Sequence, residues 1–75
     1  MLPQKSDPIW SKIIQNEGDV ALNSLATKML LTRVRLLVKT DSSPAKMQEA
    51  VDIAYDFFVK NEAVVKADID LLFKK

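Results

Sequence analysis

Seventy-five residues carry 11 Lys and Arg against 10 Asp and Glu, a net charge of +1, and include no cysteine and no histidine. That composition excludes disulfide and thiolate-zinc staples, removes the usual general base near pH 7, and gives the chain as a whole no strong field for an anionic partner. A chain of this length reads as a single domain, 1–75, which buries only about 60 % of the surface its unfolded form exposes; its core must be well packed or shared with another chain.

From Met1 to Ser11 there is no apolar stretch of the kind a secretory signal needs, because Pro3, Lys5 and Asp7 interrupt it. Residues 1–6 are therefore read as a flexible N-terminus, and the chain as cytoplasmic, with which the lack of cysteine agrees. Asp7-Pro8 is a helix start: the carboxylate accepts from otherwise unpaired amides, and proline is preorganised for the first helical position. A short helix is expected over about Pro8–Asn16, with Ile9, Trp10, Ile13 and Ile14 on one side and Gly18 as its stop.

Between Asp19 and Asp41 the chain has four basic residues, no acidic ones, and leucine-rich positions at helical spacing. With Asp19 as cap, this predicts a central helix running to about Lys39. At about 100° per residue, Leu22, Leu25, Ala26, Met29, Leu30, Leu36 and Leu37 share one broad arc, which Val20, Leu31, Val34 and Val38 extend. Ser24, Lys28, Thr32, Arg35 and Lys39 form a narrow polar remainder. A helix apolar over more than half its circumference is expected to be packed on two sides. Lys28, Arg33 and Arg35 inside the run argue against a membrane span, since each costs about 2.5–3.5 kcal/mol at the bilayer centre.

Ser43-Pro44 repeats the cap-then-proline signature, and no glycine or proline follows it. One long C-terminal helix to about Lys74 is the simplest expectation, with Asn61 as the place where a separate last helix would begin. Met47, Val51, Ala54, Tyr55, Phe58, Val65, Ile69, Leu72 and Phe73 make its main apolar stripe. Ala50, Ile53, Phe57, Val64 and Leu71 make a second. The fold class is thus all-α: a small bundle of three helices, or four if the last divides, with a short first helix, a central leucine-rich helix and a long C-terminal helix antiparallel to it.

Chemistry-bearing motifs are scarce. No serine or threonine has a histidine to activate it, Ser24 with Lys28 one turn on is read as a solvated face, and the single glycine leaves no phosphate-cradling loop. Glu49, Asp52 and Asp56 share one face of the last helix but lack the loop ligands of a cation site, and are read as a solvated acidic face. No catalytic residue, metal or cofactor is expected, and the chain is read as no enzyme. Arg33 and Glu62 fall within apolar stripes, and the cost of such charges suggests a buried ion pair, within one chain or across a dimer.

Two apolar stripes on one helix call for two packing partners, and an uncovered apolar row marks an interface. The expected function is therefore a non-catalytic interaction or regulatory module, self-associating as a homodimer or binding another protein, with Ile53, Phe57, Val64 and Leu71 as its contact surface. The alternative is a small DNA-binding regulator. The run Ser24–Leu37 faintly resembles a helix-turn-helix, with a turn at Leu30-Leu31 and Arg33, Arg35 and Lys39 facing DNA. An amphipathic membrane-surface helix is a third reading, which the balanced charge disfavours.

Overall fold

In the computed structural model, which describes residues 2–15 and 21–73, the chain folds into helices and turns, with no strand among the described residues. The helices are α1 (Ile9–Gln15), α2 (Leu25–Thr40), α3 (Pro44–Asn61) and α4 (Lys66–Leu72). Helix α2 packs mainly on α3, and α1 lies against both. The all-helical bundle expected from the pattern is thus present, in its four-helix form.

The proline-marked starts form as local chemistry dictates. Asp7 Oδ1 accepts from the Ile9 amide at 2.9 Å ahead of α1. Ser43 Oγ accepts from the Lys46 amide at 3.3 Å at the start of α3, with Pro44 in the first turn. Between α2 and α3, Asp41 Oδ1 accepts from the Ser43 amide at 3.0 Å, which tightens the reversal. Residues 2–7 are tied to the bundle. Trp10 Nε1 donates to the Gln4 carbonyl at 3.0 Å, and Lys5 lies 3.2 Å from Asp52 and over the Tyr55 ring.

The core joins all four helices: Trp10, Ile13 and Ile14 from α1, Leu30, Leu31 and Val34 from α2, Ala50, Val51, Ala54 and Phe58 from α3, and Val65 with Ile69 around α4. Trp10 is its hub, with ring centroids 4.8 Å from Phe73, 5.4 Å from Tyr55 and 5.8 Å from Phe58. Tilted and edge-on pairs of this kind contribute about 0.5–1.5 kcal/mol each beyond their buried area. Ala50 and Ala54, both fully buried, let the other helices approach α3 closely.

Three expectations are corrected. The central helix starts at Leu25, not near Val20: residues 21–24 are non-helical and Ser24 is the cap residue. The expected Asp19 cap and Gly18 stop lie outside the described residues. The C-terminal helix is not continuous. It ends at Asn61, whose carbonyl accepts from the Val64 and Val65 amides at 2.9 and 3.0 Å, closing a turn over 62–65. Asn61 Nδ2 also donates back to the Phe57 carbonyl at 2.8 Å, so asparagine here terminates a helix rather than starting one. Finally, α2 is packed on one side, not two. It buries Thr27, Leu30, Leu31 and Val34, while Leu25, Met29 and Leu36 face solvent.

Candidate interaction surface

On α2, residues 25, 29, 32 and 36 are spaced by four, three and four, so they lie along one line of the helix. Residues 27, 31, 34 and 38 lie along the opposite line. The structure buries the second and exposes the first: Leu25 is 69 % exposed, Met29 63 % and Leu36 59 %. The apolar residues are therefore not at the margin of the core but at the point of α2 farthest from it. Thr32 completes the line, its hydroxyl turned back to the Lys28 carbonyl at 2.9 Å and so not offered outward.

Basic residues border this line. Lys28 and Lys39 lie along one side and Arg33 along the other, all three exposed. Helix α2 contains no acidic residue. Arg35, half-buried below Lys28 and Lys39, has a different task. Its Nη2 donates to the Ile13 carbonyl at 3.1 Å, in the last turn of α1, where a cation also meets the negative end of that helix. Thr32, Arg35, Leu36 and Lys39 line a shallow open groove of about 250 Å³.

The N-terminal end of the same helix is held from a distance. Ser24 makes no side-chain cap bond. Instead Asp68 of α4, only 1 % exposed, accepts from the Asn23 amide at 2.6 Å through Oδ1 and from the Ser24 amide at 2.9 Å through Oδ2. Burial pushes this carboxyl's pKa up, but the two amides, the neighbouring Thr27 hydroxyl and the Lys28 charge together outweigh it and hold the group below its ordinary range. Thr27 is itself fully buried, and its Oγ1 lies beside the carboxylate without a hydrogen bond of ordinary geometry.

The acidic face of α3 is occupied by its own chain. Asp52 accepts from Gln48 at 2.9 Å and meets Lys5, Glu49 meets Lys46 at 3.1 Å, and Asp56 meets Lys60 at 3.1 Å. Gln48 first, then Lys5, lowers the Asp52 pKa. Among the described residues no group of three or more metal-ligating side chains converges. A second hollow of about 450 Å³, lined by Glu62, Ala63, Lys66, Ile69 and Asp70, mixes both charges around one buried apolar residue and gathers no set of groups fit for chemistry.

The residues expected to form a contact surface are divided by the break after Asn61. Ile53 and Phe57, still on α3, are half-buried and packed on the core, with Phe57 edge-on to Phe58 at 5.3 Å. Val64, in the turn, is 82 % exposed, and Leu71 on α4 is exposed as well. Arg33 and Glu62 are both exposed, so the single chain does not bury them as a pair. Glu62 sits at the helix end, where the phase that placed it in a stripe no longer holds. Nor is α2 divided at Leu30-Leu31: it runs unbroken through both, and the helix-turn-helix arrangement of Arg33, Arg35 and Lys39 is absent. No helix is long and apolar enough to cross a membrane among the described residues.

The outer line of α2 is the surface that sequence reasoning missed. Its residues stood in the apolar arc, but nothing in their spacing says which part of a broad arc faces the core. Comparison with known proteins finds no matching family model, no matching curated protein and no matching solved structure.

Proposed function

We propose that the chain is a non-catalytic protein-interaction module whose working surface is the outer line of α2. The observation that carries this reading is the exposure of Leu25, Met29 and Leu36 along one line opposite the core. Scattered exposed leucines need no explanation, but an aligned row on a regular helix is the pattern by which one helix receives another. Methionine at the centre suits such a role, since its flexible thioether adapts to a partner's side chains. The groove beside Leu36 gives the row relief.

The test compares the wild-type chain with the triple variant Leu25→Glu, Met29→Glu, Leu36→Glu. Light scattering over a range of concentrations reads self-association, and capture on the immobilised chain reads other proteins. The expected result is an association that the variant loses while its thermal melt stays that of the wild type. A monomer that captures the same proteins with and without the row would sink the reading.

A further inference from the structure

Resting on that reading, the charges around the row point to what lies on it. We infer that the outer line of α2 receives an amphipathic helix of another protein whose apolar stripe is bordered by Asp and Glu. The apolar line runs from Leu25 to Leu36, about 17 Å at 1.5 Å per residue, so roughly three turns of partner helix cover it. Lys28 and Lys39 border it on one side and Arg33 on the other, and no acid on α2 offsets them. A helix laid along the line brings its own flanking positions against these residues, as the positions beside a coiled-coil seam do, and those charges set partner choice.

A second copy of this chain fits the surface less well. Two α2 helices face to face set Lys28, Arg33 and Lys39 against their own equivalents, and juxtaposed like charges select against a pairing. The acids a second copy could offer from α3 are engaged by Lys5, Lys46 and Lys60 of its own chain. An anionic lipid surface suits the charges but not the row. Interfacial helices present Trp and Phe among their apolar residues, and here Trp10, Phe58 and Phe73 are spent inside the bundle.

The experiment uses the full chain and two labelled peptides about five turns long. They share one apolar stripe, and their flanking positions are all Glu in one and all Lys in the other. Fluorescence anisotropy at low salt is expected to show the Glu-flanked peptide binding about tenfold or more tighter, with the margin shrinking as salt shortens the Debye length from about 10 Å at 0.1 M to about 3 Å at 1 M. Met29→Glu abolishes binding. The double variant Arg33→Glu, Lys39→Glu, both sites being exposed and neither among the groups that act on Asp68, keeps its helical circular dichroism and reverses the preference toward the Lys-flanked peptide.

Equal binding of both peptides, binding of neither, or no reversal in the double variant overturns the assignment. A dimer in light scattering that Met29→Glu splits also overturns it, while leaving the interaction-module reading standing. Sedimentation with anionic vesicles, or a duplex-DNA gel shift lost in Arg33→Glu but kept in Met29→Glu, would overturn both.

Discussion

Asp68 is the residue on which the start of α2 depends. Its two oxygens each serve a different amide, so asparagine, with one oxygen and an NH2 group, cannot replace it: one amide would face a donor. Asp68→Asn is expected to lower stability by about 1–3 kcal/mol, the usual cost of stranding a buried donor. Urea melts should show a lower midpoint with an unchanged slope. The pH dependence has a definite sign. Because the folded pKa of Asp68 lies below its ordinary value of 3.8, its contribution is fully present above that value and lost as pH falls through the folded pKa. Below about pH 4 the gap between wild type and Asp68→Asn should therefore narrow; a gap that stays constant from pH 7 to pH 2 would count against the ionised cap. Asp41 and Asp52 also titrate low, the first through the Ser43 amide, but both persist in the variant and cancel in the comparison.

Trp10 is the other residue with a disproportionate share. It touches three rings and ties down Gln4. Trp10→Ala should cost about 3–5 kcal/mol. A domain of this size has roughly 4–11 kcal/mol in all at 0.05–0.15 kcal/mol per residue, so the variant should be largely unfolded in a modest concentration of urea.

At the scale of elements, α2 offers a sharp contrast between two lines of one helix. Glutamate at Leu25, Met29 or Leu36 should change stability by no more than about 0.5 kcal/mol, as surface substitutions do. Leu31→Ala, on the opposite line, should cost about 2–5 kcal/mol. Denaturant melts of the four variants check both halves; an outward leucine as costly as Leu31 would mean that the row is covered within the chain. Ser43→Ala should cost about 0.5–2 kcal/mol, because it removes the side-chain acceptor at the start of α3.

These elements were legible in proportion to how local their causes are. Asp7-Pro8 and Ser43-Pro44 act within a few residues, and the helices begin beside them. The main stripe of the last two helices was also readable: Val51, Ala54, Phe58, Val65 and Ile69 are all buried. The buried side of α2 was not, because an apolar arc spanning more than half the helix leaves its orientation open. What orients it is tertiary: Arg35 reaching the end of α1, and Thr27 set beside Asp68. The break after Asn61 was half legible. The residue was identified, but without a glycine or proline its role depends on its own hydrogen bonds, which close a turn.

For the whole molecule, size sets the terms. Bundle dimensions of 31 × 22 × 22 Å leave room for one thin core, and four helices share it with little to spare. The apolar side chains that do not fit inside are not spread evenly. Leu25, Met29 and Leu36 fall on one line of α2, whereas Val59 on α3, Val64 in the turn and Leu71 on α4 are exposed singly, and α3 also carries paired charges. Alignment along one helix line, rather than exposure as such, is what sets the outer face of α2 apart.

The reach of Asp68 has a consequence for how the chain acquires its shape. The carboxylate meets amides 44 and 45 positions earlier in the chain. The amides of residues 23 and 24 therefore find their side-chain acceptor only when α4 is docked. Leu25, the first residue of the apolar line, thus stands on a turn pinned from α4 rather than by its own cap residue. Loosening α4 would therefore soften one end of the apolar line without touching any residue on it.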